Sequence, residues 1–293
     1  MVSPGMLQSP RVRRWLGDIM PAWTLLDLNS INALRSRQEA QGSAIRLATD
    51  LTPDEIGRSA VCRNALVLLH AASVGPGCLG LKLTATGNLS RQVVSEMWEL
   101  LSWPDFDREE TLRFSRVINE PDFLPLFFVR HLVETLRLVR RHKGRLKITR
   151  AGAAALDSPG RDALQAQRFQ AAFWKISLGY FSRVVVGGWP QGDAGVVLWS
   201  LSVSANDWES PARLARLCTI PINGVLDQDY DKASYALEGI ILRPLRAFGL
   251  LECRSDTIPH QRLSKAHYYR KTPLFDRFLS FDVTTEPPDA TKH

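Results

Sequence analysis

The chain has 293 residues, 45% of them hydrophobic and 23% charged, which excludes a disordered protein and supplies chain for about two domains. Its formal charge is +7, carried by 29 Arg and 8 Lys. Arg suits bidentate phosphate contacts, so a polyanion partner is expected, although a high-GC bacterial genome would enrich Arg in the same way. Cys62, Cys78, Cys218 and Cys253 are scattered with no CxxC, which argues against a disulfide framework and fits a reducing cytoplasm.

Residues 1–20 carry Pro4, Gly5, Pro10 and the cations Arg11, Arg13 and Arg14. No apolar core follows them, so no signal peptide is expected, and no apolar run approaches the roughly 20 residues that span a bilayer. Leu25, Leu28, Ile31 and Leu34 have helical spacing and predict a helix over 23–40. Thr52-Pro53-Asp54-Glu55 starts the next helix, with Thr as N-cap, Pro at N1 and acids in the first turn. The apolar run 61–72 continues it, and 74–80 is a loop. Leu81-Lys82-Leu83-Thr84 reads as a short strand, and 90–101 as an amphipathic helix burying Val93, Val94, Met97, Trp98 and Leu101. A connection over 102–122 leads to a helix capped by Asp122, with Pro125 in its first turn, running to about Leu136.

The stretch 136–156, LRLVRRHKGRLKITRAGAAAL, places two strand-like runs around Lys143-Gly144. Leu146 and Ile148 alternate with Arg145 and Lys147, the period of a half-buried strand, and Thr149 can cap a following helix that Gly152 weakens. The hairpin is strongly basic: Arg137, Arg140, Arg141, His142, Lys143, Arg145, Lys147 and Arg150. LKLTATG at 81–87 echoes LKITRAG at 146–152, and both read as a strand ending in a capping Thr. A helix over 162–185 with Phe169, Phe173, Trp174 and Phe181 would link two domains.

A second pass of the same order follows. Helices are expected at 195–203, from Ser210-Pro211 to Leu217, and over 231–248, where Pro244 should kink the chain and Gly249 stop it. Strands at 250–253 and 266–271 flank a long loop, Thr272-Pro273 opens a helix over 274–281, and 282–293 reads as a disordered tail.

This order, with GRLKITRAG, FGLLEC and YRKTPLFDRFL, resembles the winged helix-turn-helix superfamily. More narrowly, GLKLTATGNLSRQVV, GRLKITRAG and RPLRAFGLLE are similar to bacterial, often plasmid-borne proteins of unknown function. The resemblance covers about 53–281 and implies a pair of winged helices; the fold serves both DNA binding and protein interaction. The fold class expected is therefore mainly α with small β-hairpins: an N-terminal segment 1–52 with one helix, winged-helix domains at 53–157 and 191–281, a linker helix in 158–190, and the tail.

If the first domain reads DNA, its third helix would enter the major groove, with Phe127, Phe128, Leu132 and Val133 on the core and Arg130, His131, Glu134 and Arg137 outward. That is a thin reader. Arg140, Arg141, Lys143, Arg145 and Lys147 are better placed for phosphates, giving affinity with little sequence choice. The second domain offers Arg243 and Arg246 on its third helix, and Arg254, His260, Arg262, Lys265, Arg270 and Lys271 on its hairpin. Asp227, Asp229, Asp231 and Glu238 fall at positions 1, 3, 5 and 12 of a calcium loop, but Lys232 stands where Gly is needed, and acids at a helix start explain them equally. Cys253, His260 and His267 recur every seven residues without an evident fourth zinc ligand. No P-loop, GxGxxG, HExxH or GxSxG occurs. The sequence thus points to a cytoplasmic, non-catalytic protein without cofactor, metal or membrane association, binding duplex DNA through basic wings as a transcriptional or plasmid-maintenance regulator. The alternative is a tandem winged-helix adaptor that docks a protein partner or a second copy, favoured by the aromatic segment 169–189.

Overall fold

A computed structural model describes residues 6–36, 43–74, 80–104, 106, 108–114, 117–157, 164–182, 184–226, 231–257 and 265–285. The chain forms two compact units, one of Met1–Leu47 with Ser177–His293 and one of Ala48–Ile176. It is mainly helical with small antiparallel sheets. Among the described residues, no helix is long and apolar enough to cross a membrane.

The N-terminal stretch holds α1 (Pro10–Leu16), a 3-10 turn (Ala22–Leu25), α2 (Leu28–Arg35) and β1 (Ile45–Leu47). The helix expected over 23–40 is thus shorter and interrupted. Leu26 is extended and bridges Thr285, and the Asp27 carboxylate caps α2 by accepting from Ser30 N at 2.6 Å.

The second unit contains α3 (Pro53–Arg58), α4 (Ala60–Ser73), β2 (Leu81–Lys82), α5 (Arg91–Leu100), α6 (Arg108–Phe114), α7 (Leu124–Thr135), β3 (Val139–His142), β4 (Arg145–Ile148), α8 (Arg150–Ala154) and α9 (Leu164–Gln170). Thr52 caps α3 as expected, and Glu55 reaches back to Thr52 N to complete a capping box. The helix does not run on, because Ser59 turns extended and caps α4 through Cys62 N at 3.2 Å. Asp122 does not cap α7 but ends a 3-10 turn (Glu120–Asp122), its carboxylate accepting from Asn119 N at 3.0 Å; the first turn of α7 does contain Pro125. The three strands lie in the order β2-β4-β3. Leu81 sits opposite Leu146, so the two echoing segments are sheet partners. Thr149 caps α8 as expected, whereas Thr84 closes a local turn by accepting from Asn88 N at 3.1 Å. The core gathers Leu68, Leu69, Val94, Met97, Phe123, Leu126, Val129, Val133 and Leu146. The linker helix expected over 162–185 is α9 followed by a π turn (Ala171–Lys175), and it ends where Ile176 becomes extended.

The other unit continues with α10 (Ala194–Ser204), α11 (Pro211–Cys218), α12 (Asn223–Leu226), α13 (Lys232–Leu237), a π turn (Glu238–Leu242), α14 (Arg243–Ala247), β5 (Leu251–Thr257), β6 (Lys265–Lys271), α15 (Pro273–Phe278) and β7 (Leu279–Phe281). α10 is apolar on every side and buried from Ala194 to Leu201, as expected of a central helix. It approaches α2 so closely that a Cβ on Gly195 would lie 2.1 Å from Leu34 O. Trp23 and Trp189 donate their indole N–H groups to Thr219 O (2.9 Å) and Ile220 O (2.8 Å). Pro244 lacks the N–H that would bond Ile240 O, and the chain absorbs this with the π turn before α14. The expected last helix stops at Phe278. The next three residues form β7, which pairs with β1 in the register Ile45↔Phe281 to Leu47↔Leu279. Of the tail expected to be disordered over 282–293, residues 282–285 are held in place, with Asp282 N donating to Ala44 O at 2.8 Å and Thr285 bridging Leu26, and 286–293 lie outside the described residues.

Candidate nucleic-acid interface

The hairpin of Ala48–Ile176 turns on Lys143 (φ 49°) and Gly144 (φ 70°), two left-handed residues that match the twist of the strands they join. Its register pairs Val139 with Ile148, Arg140 with Lys147, Arg141 with Leu146 and His142 with Arg145. Side chains of a strand alternate between faces and directly opposed residues share one. Val139, Arg141, Leu146 and Ile148 therefore face the core side, while Arg140, His142, Arg145 and Lys147 share the outer face. Lys82 of β2 lies opposite Arg145 and joins them. Lys82, Arg145 and His142 make one row across the three strands, Arg140 and Lys147 a second, and no acid stands in either. Arg140, His142 and Lys82 are exposed, while Arg145 and Lys147 are half-buried. Among the described residues none of the five forms an ion pair; Arg145 Nη1 donates to Gly80 O at 3.0 Å.

Arg141 is on the core face and has a structural partner. Its Nε donates to Glu134 Oε1 at 2.9 Å and its Nη2 to Glu134 Oε2 at 3.3 Å. Arg130, expected to face outward, is instead buried at 4% exposure. It pairs with the buried Glu120 and donates from Nη2 to Gly87 O (2.7 Å) and Glu134 Oε1 (3.4 Å). Glu120 also accepts from Leu89 N at 2.6 Å. Most of α7 is committed to the core, and the cation assigned to its reading face instead ties α7 to the β2 turn. Burial would raise the Glu134 carboxyl, but the Arg141 hydrogen bond and the Arg130 charge outweigh it and hold it below its ordinary range. Arg137 is exposed, with its backbone left-handed (φ 55°) at the end of α7.

The second hairpin is longer, pairing Leu251 with Lys271 through Thr257 with Lys265. Its two described arginines are engaged. Arg270 Nε donates to Glu252 at 2.5 Å and its guanidinium lies 4.5 Å from the Trp208 ring centre. Arg254 stacks on Trp208 (5.4 Å) and Tyr268 (5.1 Å) and pairs with Asp256 at 3.4 Å. Arg243 reaches Glu238 at 3.4 Å, Arg246 is half-buried and Lys265 is exposed. Arg262 lies outside the described residues. Glu238 also holds His267 Nδ1 at 2.5 Å and accepts from the Tyr269 hydroxyl at 2.9 Å. Burial, then the neighbouring Glu238 charge, pushes the Tyr269 phenol up, so it stays a donor. Of the calcium candidates, Asp231 caps α13 through Ser234 N at 3.1 Å, Glu238 is engaged as above, and Asp227 and Asp229 lie outside the described residues, as does His260 of the zinc candidates. Among the described residues no cluster of three His, Cys, Asp or Glu is placed to hold a metal ion.

The sequence reading missed Lys82, whose place in the basic row was signalled only by the LKLT/LKIT echo. It also missed Trp208, a single aromatic ahead of a Ser-Pro helix start.

A domain family described as the Y4jL N-terminal domain matches residues 57–161, the span holding both α7 and the first hairpin. The protein named "Uncharacterized protein y4jL" of Sinorhizobium fredii (strain NBRC 101917 / NGR234) is 36% identical over 80 residues, which is 27% of this chain and 36% of that relative's length. No solved structure matches the chain.

Proposed function

We propose that residues 53–157 and 191–281 are tandem winged helix-turn-helix domains and that the protein binds duplex DNA non-catalytically, through the outer face of the first hairpin. The support for two winged helices is the repeated order. In the first, α4, β2, α5, α7, β3 and β4 come in this order, with α6 inserted between α5 and α7, and the sheet order is β2-β4-β3. In the second, α10, Glu209, α11, the helix of α13 and α14, β5 and β6 come in this order, with α12 inserted after α11, and Glu209 bridges Tyr269 of β6.

The observation that carries the DNA reading is the acid-free outer face of Lys82, Arg140, His142, Arg145 and Lys147. Like charges directly opposite on paired strands repel, and a phosphate backbone removes that cost while gaining counterion release. With α7 largely buried, base reading is weak and affinity is nearly independent of sequence. The test is binding to random-sequence duplex at several salt concentrations. Log affinity should fall linearly with log salt, by about 0.9 for each phosphate neutralised; absence of binding at low salt rejects the reading. The burial of α7 favours a second reading, a tandem winged-helix adaptor for a protein partner or a second copy.

A further inference from the structure

Beside the first hairpin, between α4, β2 and α5, lies a cleft of about 990 Å³. That is at the upper end of the ~300–1,000 Å³ typical of small-molecule sites. Its apolar lining comes from Leu66, Val67, Ala71, Val93, Met97 and Leu100. Leu100 remains 59% exposed at its margin, an apolar surface that no described element covers.

Apart from His70 on α4 and Gln92 and Glu96 on α5, the polar lining gathers at one end. Lys82 and Arg145 are cross-strand neighbours and both line the cleft. Arg145 is held in place by one bond to Gly80 O, leaving further guanidinium donors. Ser90 follows on the same lining, next to Lys82 through the bond from Ser90 N to Lys82 O at 2.9 Å. Its hydroxyl stands at the N-cap of α5 yet caps nothing. Among the described lining residues the one acid, Glu96, accepts from Gln92 at 3.1 Å.

We infer that this cleft is a binding site for a small amphipathic carboxylate: an apolar body against α4 and α5, and a carboxylate on Lys82, Arg145 and the Ser90 hydroxyl. An anion there offsets the repulsion between the two opposed cations. A neutral or cationic head group leaves it in place. Arg145 belongs to both this site and the basic face, so a bound carboxylate draws on one of the same charges. The cleft stands on its own geometry and does not depend on DNA binding.

The test is isothermal titration of the full chain with decanoate, decanol and decyltrimethylammonium, each below its aggregation threshold. Saturable one-to-one binding of decanoate is expected, with decanol and the cation weaker by about tenfold or more. The Lys82→Ala, Arg145→Ala double variant should bring decanoate to the level of decanol. Ala71→Trp, which fills the cleft, should abolish binding of both. Leu100→Glu, at an exposed position that leaves folding intact, should weaken decanoate as well. No saturable binding, equal binding of decanoate and decanol, or decanoate binding unmoved by Leu100→Glu would each overturn the assignment.

Discussion

The two halves that repeat the same element order solve one problem in different ways. Each must fasten one helix, α7 or α14, to the hairpin that follows. The chain reversals correspond bond for bond. After α7, Arg137 N donates to Glu134 O and Leu138 N to Val133 O, both at 2.9 Å; after α14, Gly249 N donates to Arg246 O and Leu250 N to Leu245 O, also at 2.9 Å. Thr149 and Thr272 then occupy equivalent places. Their hydroxyls donate to Arg137 O (2.9 Å) and Gly249 O (2.8 Å), and their amides to Leu138 O (2.9 Å) and Leu250 O (3.0 Å). The polar anchors differ. The Ala48–Ile176 unit fastens α7 with Arg130, Arg141, Glu120 and Glu134, while the other unit uses Glu238 with His267, Tyr269 and Arg243. The hairpins differ accordingly: the first pairs Arg141 with Glu134 and keeps its outer face wholly basic, while the second pairs Arg270 with Glu252 and Arg254 with Asp256 and stacks both on Trp208. A count of Arg and Lys makes the hairpins look alike; the partners of those residues separate them.

The largest difference should appear on deleting one anchor cation from each half. Arg130→Met leaves Glu120 buried without its partner and should cost about 3–5 kcal/mol in urea unfolding of the Ala48–Ile176 unit. Adding Glu120→Leu should recover part of that loss. Arg243→Met, removing a half-exposed cation, should cost less than about 1 kcal/mol. Equal costs would mean that the two anchors are equivalent.

The reversal offers a finer comparison. Gly249 has φ 78° and Arg137 has φ 55° at the same step. Gly249→Ala should destabilise by about 1–2 kcal/mol, since a left-handed backbone strains any residue with a Cβ. Arg137→Gly should stabilise by up to about 1 kcal/mol for the same reason. If the two changes have the same sign, the equivalence of the two turns is wrong.

How much of this the sequence reveals depends on how local the cause is. The N-cap at Thr52, the cap at Thr149, the turn at Lys143-Gly144 and the stop at Gly249 are fixed by neighbouring residues, and all read directly. The β1–β7 pairing joins residues more than two hundred positions apart, and nothing in IRL or LSF announces it. Arg130 shows the limit most clearly. Helical periodicity placed it outward, but its burial depends on Glu120, ten residues earlier across a break in the helix. Gly152 looks like a defect in α8, yet a Cβ there would lie 2.1 Å from Leu138 O; the glycine is the condition for packing α8 on the hairpin.

A smaller effect is expected with pH. Burial acts to raise both Glu134 and Glu238, but their cationic and hydrogen-bonding partners win and hold each below its ordinary 4.5. A carboxylate lowered in the folded state adds stability that is complete above the ordinary value and is lost as pH falls from there through the folded value. Glu134→Gln and Glu238→Gln should therefore lower stability at neutral pH. Their deficits against the natural chain should shrink below about pH 4.5. Thermal unfolding across pH 3–7 checks this, and a deficit that grows on acidification would reverse the sign assigned to these groups.

The most direct test of the central claim sets one hairpin against the other in the salt titration on random duplex DNA. Two triple variants are compared with the natural chain, Arg140→Ala with Lys143→Ala and Lys147→Ala, and Arg254→Ala with Lys265→Ala and Arg270→Ala. The slope of log affinity on log salt should be shallower by about 2–3 in the first variant and by less than about 1 in the second. Equal losses, or a loss confined to the second, would contradict the assignment of the interface to the first hairpin.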